Sequence, residues 1–344
     1  MSPVSRREFL TQGATAVALA AAGAGAALAG DPARALRGHQ GGAPAASQAP
    51  AASAPAASAP AEPHRDFPTD PRARLAVATY PFRNFIDSPF YRRRNPQKPG
   101  MDLPTFAQQV VERFNVRGIE TWSPHIQSHA PADVAVLRSG IEKAGVHVVN
   151  IAADLRQSVY DPDADKRRAA IDGGKQWVDV AAAIGSPSIR LHVAGVHGVP
   201  PDFARAGDSL REVADYGAAH NVIINLENDD LVSEDAFFIV RVLDHANHPW
   251  LHACPDFGNS AMSGEPAFNL DAMALMFRHA LSISHMKDSE EGDGGKIYNA
   301  DVPATFQIAR ASGYRGYFSM EMDRSGDPYA GTASLIDQSL RALG

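Results

Sequence analysis

The chain has 344 residues, 44% of them hydrophobic and 21% charged, with a net charge of 32 − 39 = −7 at neutral pH. An acidic balance argues against a nucleic-acid partner, because phosphate binding relies on a Lys/Arg face. The single cysteine, Cys254, excludes an intramolecular disulfide, so stability has to come from packing and any bound ion.

Residues 1–29 read as an export signal. Ser5-Arg6-Arg7-Glu8-Phe9-Leu10 resembles the twin-arginine motif, an uncharged Ala-rich stretch runs from Thr11 to Gly30, and Ala27-Leu28-Ala29 offers a small-x-small cleavage point. The stretch is Ala and Gly rather than Leu and Ile, and no cysteine stands at its end, so no stable membrane anchor or lipid anchor is expected. The implied partner is the twin-arginine export machinery, and the implied location is periplasmic or secreted. Residues 30–70 are rich in Ala, Pro and Ser, with AASAP written twice in tandem from 51 to 60. A composition so poor in large apolar residues reads as a flexible linker.

From 71 to 344 apolar runs of strand length alternate with amphipathic stretches. The expected strands are 75–81, 117–123, 146–152, 188–194, 222–228, 251–257, 281–287 and 316–322. Asp102 is placed to cap a helix with Leu103, Phe106, Val110 and Phe114 on one face. A second helix is expected from about Asp165 to Ile184, and a third opens with Ser233-Glu234-Asp235. Gly145, Gly185, Gly313 and Gly344 stand where helices end. Eight β-then-α units in about 270 residues predict an α/β fold, the (β/α)8 TIM barrel. No feature specifies an oligomeric state.

Strand parity predicts which side chains face inward. In the fourth run Ile189, Leu191 and Val193 oppose Arg190 and His192; in the fifth, Ile224 and Leu226 oppose Asn225 and Glu227. The sixth sets His252, Cys254 and Asp256 together, and the eighth pairs Ser319 with Glu321. Because barrel strands turn their apolar side to the helices, the polar sets would line the lumen. Glu227, Asp256, His285 and Glu321 each stand near the end of a run, spaced by 29, 29 and 36 residues. Converging at one rim, three carboxylates and an imidazole suit one divalent metal ion: Mn2+, Mg2+ or Co2+ in preference, with Zn2+ also admissible.

At L-E-N (226–228), D-F-G-N (256–259), H-M-K-D (285–288) and M-E-M-D (320–323) the chain resembles the xylose-isomerase-like barrels, the sugar isomerase/epimerase superfamily. That resemblance implies that Glu227, Asp256, His285 and Glu321 are metal ligands, and that Glu227 and Glu321 are also an acid/base pair. Several epimerases carry a substrate-contacting histidine where this chain has Asn259, and Lys287 is the cation nearest the metal-binding histidine. The resemblance implies a metal-dependent isomerase or epimerase that acts on a keto-sugar or keto-glycoside by proton abstraction through an enediolate. Lys287 would steady the developing oxyanion.

For the remaining candidates two readings stand side by side. Arg190 and His192 would contact the sugar or form a lumen hydrogen-bond network, and Glu120 and Trp122 would bind or stack on a sugar or hold the lumen. Asn259 belongs with the substrate contacts. His125 and His129 would line the pocket mouth or do nothing. Arg92-Arg93-Arg94 reads as a solvated loop face, and His252 and Cys254 as packing. Three other functions remain open: a lyase, dehydratase or keto-glycoside-cleaving enzyme on the same site, a non-catalytic exported sugar-binding barrel, and a DNA-repair endonuclease. The last of these would need extra histidine ligands and a basic face that the sequence lacks.

Overall fold

In the computed structural model residues 60–229 and 235–344 are described. The expected export signal, the linker up to Ala59 and the Ser233-Glu234 helix start lie outside the described residues. Eight parallel strands form a nearly closed barrel: β1 (Leu75–Ala78), β2 (Gly118–Trp122), β3 (His147–Ala152), β4 (Ser188–Leu191), β5 (Ile223–Glu227), β6 (Leu251–Cys254), β7 (Ile283–Met286) and β8 (Tyr317–Met320). They run in the order β6-β5-β4-β3-β2-β1-β8-β7. Each is followed by a helix: α1 (Leu103–Phe114), α2 (Pro131–Lys143), α3 (Ala164–Ile184), α4 (Phe203–Ala219), α5 (Ala236–Ala246), α6 (Pro266–Phe277), α7 (Val302–Ala311) and α8 (Pro328–Leu343). This is the predicted (β/α)8 barrel.

The strands alternate as expected. Leu75, Val77, Ile119, Ile151, Ile189, Leu191, Ile224 and Leu226 are fully buried against helix residues such as Phe106, Val110, Val178, Leu210 and Val242. Each such side chain removed from water contributes roughly 1.5–3 kcal/mol. Ala76, Val149, Cys254 and Ile283 form a separate cluster inside the barrel. Above that cluster the interior is polar, with Glu120, Asn150, Ser188, Arg190 and Asn225 all buried.

Aspartates cap six of the eight barrel helices: Asp102, Asp163, Asp202, Asp235, Asp301 and Asp327 each accept a backbone N–H of the first turn. The β-to-α loops therefore end in the residue that satisfies the exposed helix donors, and this usage accounts for part of the net negative charge. The helix predicted to open near Asp165 starts at Ala164, with Asp163 as its cap.

The strands are shorter than the apolar runs at their carboxyl ends, and the differences are chemical. β6 stops at Cys254 because Pro255 has no N–H for a ladder. The barrel closes there through two isolated bridges, Ala253 to Ala280 and Asp256 to His285, with the His285 N–H donating to the Pro255 carbonyl at 3.0 Å. Tyr80–Phe82 forms a 3-10 turn rather than the end of β1, since Pro81 lies within it. The connection after β7 holds an unanticipated antiparallel pair, Ser289–Glu291 with Ile297–Asn299. Arg92–Arg94 end a short helix, Pro89–Arg94, rather than lying in a loop; Arg92 pairs with Asp87. The compact unit begins at Pro60: the Trp250 indole donates to the Ala61 carbonyl at 2.6 Å, and Phe67 meets Tyr317 edge-on at 5.9 Å. No helix among the described residues is long and apolar enough to cross a membrane.

Candidate metal centre

Four strands deliver the predicted ligands to one point. Glu227 is the last residue of β5, Asp256 follows β6 by two, His285 lies within β7, and Glu321 follows β8 by one. One ligand atom from each of the four lies within 4.8 Å of all the others, and all four residues are buried. The parallel ladder makes this convergence, because Ser319 stands opposite His285 and Asp256 bridges to it.

His285 Nδ1 is the centre of the group. It lies 2.6 Å from Glu227 Oε1, 3.3 Å from Glu321 Oε2 and 3.8 Å from Asp256 Oδ2. The other ring nitrogen, Nε2, lies 2.9 Å from Glu120 Oε1. Asp256 is held by its backbone surroundings. Its Oδ1 accepts from Gly258 N at 2.8 Å and Asn259 N at 2.7 Å, and its own N–H donates to Asn228 Oδ1 at 2.8 Å. Asp256 Oδ2 and Glu227 Oε2 are buried with no hydrogen-bond partner. A buried carboxylate oxygen left without a donor is costly unless a cation faces it.

The cations around the group are Lys287 and Arg190. Lys287 Nζ donates to Asn259 Oδ1 and Glu290 Oε2, both at 3.0 Å, and lies 3.2 Å from Asp256 Oδ2 and 3.4 Å from Glu321 Oε2. Arg190 Nε is 2.6 Å from Glu227 Oε2, an ion pair whose angle is wrong for a hydrogen bond. Five acids of the site are buried, Glu120, Glu227, Asp256, Glu290 and Glu321. Burial raises Glu290 to about 8 and so keeps it protonated at neutral pH. The other four, set against these two cations, leave 4 − 2 = 2 negative charges over. A dication bound to a neutral His285 balances that remainder, so the residues present fit the metal that the sequence implies.

Protonation follows the same crowding. Burial pushes the Asp256 carboxyl up to about 7; Lys287 opposes this, and Glu227 and Glu321 add to it. Burial likewise raises Glu227, against the pull of Arg190 and His285. Glu321 goes the other way, since His285 and Lys287 overcome its burial and hold it well below the usual carboxylate range. Burial pushes Cys254 up to about 12, so its thiol is no nucleophile.

The other expected residues separate by depth. Asn259 lies beside the group, its Nδ2 3.5 Å from Glu227 Oε1. Trp122 stands at the rim, half-buried, its indole N–H donating to Asp154 Oδ2 at 2.6 Å and its ring meeting Tyr80 and Phe90 edge-on. His192 is there too, 3.3 Å from the Arg190 guanidinium and 3.9 Å from Asp229. Glu120 is not at the rim: it is 1% exposed, beneath His285. His125 is buried rather than at the mouth; its Nδ1 is 2.8 Å from Thr79 Oγ1, and burial drops it to about 3, hence neutral. His129 packs on Trp177, and His252 is fixed between the Pro249 and His279 carbonyls, as packing requires.

Asp154, Asn228 and Glu290 were not anticipated. Asn228 lies inside the L-E-N motif, where its amide brackets the Asp256 peptide, and this position was the available signal. Asp154 and Glu290 follow the third and seventh apolar runs, and only the folded loops bring them to Arg190 and Lys287.

The sequence profile of one family, described as the xylose isomerase-like TIM barrel, matches residues 109–343. No curated protein matches the chain significantly. Among solved structures, a xylose isomerase-like TIM barrel protein from Mycobacterium smegmatis in complex with magnesium is 15% identical, with 79% of this chain and 98% of that one covered and a TM-score of 0.59. The 3-keto-D-glucoside 4-epimerase from E. coli is also 15% identical, covering 78% and 98%, at 0.57. A fusion protein of a xylose isomerase-like TIM barrel with 4-hydroxyphenylpyruvate dioxygenase is 14% identical over 78% of this chain, at 0.58, and the chain spans 42% of its length. At these identities the likeness is one of fold.

Proposed function

Because the chain belongs to the xylose isomerase-like TIM barrel family, we propose that it is a divalent-metal-dependent sugar isomerase or epimerase acting on a keto-sugar or keto-glycoside. The observation that carries the reading is the convergence of Glu227, Asp256, His285 and Glu321 within 4.8 Å in a buried site. The similarity of fold to a 3-keto-glucoside epimerase supports the substrate class. Held by those four residues, Mn2+, Mg2+ or Co2+, with Zn2+ also admissible, would supply Lewis acidity to a carbonyl and its neighbouring hydroxyl.

The chain's own groups do the proton work. Glu227 and Glu321 end non-adjacent strands and flank the site, so one removes the proton beside the carbonyl, giving an enediolate, and the other returns a proton to the opposite face. Arg190 anchors Glu227 through its 2.6 Å ion pair. Lys287 directs its ammonium at the oxygens of the same site, where negative charge grows on the enediolate. Trp122, Tyr80 and Phe90 offer an apolar wall against which a sugar face can lie.

A panel of unphosphorylated keto-sugars and 3-keto-glycosides, incubated with Mn2+-loaded protein in D2O, tests this by NMR. Deuterium incorporation beside the carbonyl is expected, and Glu227→Gln and Glu321→Gln should each lower its rate by about 10²–10⁴-fold. Tight sugar binding with no exchange in the wild type would instead make the protein a non-catalytic binding barrel. One observation favours elimination as a second reading. Burial pushes the Glu290 carboxyl up to about 8 against the opposing pull of Lys287 3.0 Å away, so a protonated acid stands ready for a leaving group. Loss of that group together with exchange would select this reading. We also propose export by the twin-arginine route to the periplasm or beyond. Replacing Arg6 and Arg7 by Lys should leave uncleaved precursor inside the cell, detected by fractionation.

A further inference from the structure

We infer that Glu120 is the positioning residue of the metal centre: its carboxylate fixes the ring orientation and tautomer of His285 so that Nδ1 faces the other three ligands. This rests on the metal reading above. Glu120 is fully enclosed, and its Oε1 meets the ring nitrogen that points away from Glu227, Asp256 and Glu321. An imidazole free to turn would present either nitrogen. With Nε2–H donated to a carboxylate, Nδ1 keeps its lone pair for the cation, and the anion behind the ring makes that lone pair a better donor.

Glu120 is held through Oε1, its Oε2 being buried with no hydrogen-bond partner. Asn150 Nδ2 donates to Oε1 at 2.6 Å, and Ser188 Oγ donates to Asn150 Oδ1 at 2.6 Å. Two residues after Ser188 on β4 comes Arg190, which grips Glu227. One polar chain thus runs under the site from β7 through β2 and β3 to β4, and returns to a ligand on β5. The link at β3 needs an irregularity. The β2–β3 ladder pairs Ile119 with Val148 but Glu120 with Asn150, leaving Val149 as an extra residue. Regular pairing would set Val149 opposite Glu120 and turn Asn150 away. That the ladder breaks at this residue pair is the strongest sign that the Glu120 contact is built rather than incidental. Glu120 meets His285 on the ring nitrogen turned from the other three ligands, whereas Trp122, two residues on, stands at the rim.

Calorimetric titration of metal-free protein with Mn2+ tests the assignment in wild type, Glu120→Gln and Asn150→Ala. Gln keeps the shape and an acceptor but removes the charge, so Mn2+ affinity should fall about 10–100-fold, and Asn150→Ala should cost a severalfold loss. The second readout is the His285 Nε2–H proton in the NMR spectrum of Zn2+-loaded protein. Its resonance should lie far downfield in the wild type and move upfield in Glu120→Gln, as a charge-assisted bond becomes a neutral one. If both variants bind Mn2+ as tightly as the wild type, or the proton resonance does not move in Glu120→Gln, the assignment is overturned while the metal reading stands. If the wild type takes up no Mn2+, Co2+ or Zn2+, the metal reading falls and takes this inference with it. Should Glu120→Gln fail to fold, the Asn150→Ala titration decides alone.

Discussion

At the scale of single residues, the centre holds more negative charge than its fixed cations neutralise, and protons would compete with a metal ion for it. Asp256 has a folded value of about 7 against an ordinary value near 3.8, raised chiefly by burial. A raised folded value means stability that is fully present below the unfolded value and is lost as pH rises through about 7. His285 is raised well above its ordinary 6.5 by the surrounding carboxylates, which overcome its burial, so its contribution fades at still higher pH with the same sign. Metal-free protein should therefore melt at progressively lower temperature from pH 6 to 8, and Mn2+-loaded protein should not. Ligation would release the Asp256 proton and one His285 proton, so Mn2+ affinity should climb by about hundredfold per pH unit below 7 and by about tenfold per unit just above it. Calorimetry in buffers of different ionisation enthalpy counts those protons, and affinity that is flat with pH would remove both Asp256 and His285 from the ligand set. Lys287 makes a separate prediction. Its ammonium touches Asp256, Glu321 and Glu290 but is no metal ligand, so Lys287→Met should lower the rate of deuterium exchange by about 10²–10³-fold, loss of transition-state charge stabilisation being its main effect.

At the scale of elements, the site is as accurate as the pairing of its strands. β7 carries His285 and β8 leads to Glu321, and the two begin where Gly316 passes close to the neighbouring chain. A Cβ at Gly316 would lie 2.5 Å from the Leu281 carbonyl oxygen and 2.6 Å from that of Ser282. Both are backbone atoms, which cannot swing aside. Gly316→Ala should destabilise by about 1–3 kcal/mol and weaken Mn2+ binding by spreading two ligands, as read by thermal melting and titration. The same scale explains what sequence reasoning reaches. The eight runs and the convergence of four side chains are legible because a barrel repeats strand and helix with one polarity, and a group near the end of each of four strands keeps a constant phase. Period-2 alternation also assigns Arg190 and Glu227 to one interior. Depth is another matter, since parity does not say whether Glu120 meets a sugar or the underside of a histidine. The slip at Ile119/Glu120 that brings Asn150 to Glu120 leaves no mark in the alternation, and Asp154 sits in a loop and Glu290 in the short antiparallel pair after β7, both placed by tertiary contacts.

At the scale of the whole molecule, the two ends of the barrel do different work. The carboxyl ends of the strands hold charged groups that oppose close packing, so the opposite end has to help supply the stability that the site spends. The described chain reaches that end before β1 begins. Trp250, which precedes β6, donates to the Ala61 carbonyl, and Phe67 lies edge-on against Tyr317, the first residue of β8, whose ring also meets His147 at the start of β3. A chain begun at Arg72 would leave the Trp250 indole without its acceptor and uncover Tyr317. A buried donor stripped of its partner costs about 1–3 kcal/mol, and an aromatic pair adds about 0.5–1.5 kcal/mol. Compared with a chain begun at Pro60, the shorter one should melt several degrees lower while binding Mn2+ with unchanged affinity, because none of the lost contacts touches the four ligands. Equal melting temperatures would mean that residues 60–71 contribute nothing to the barrel. A loss of metal affinity would mean that the two ends are coupled through the strands and cannot be assigned separate work.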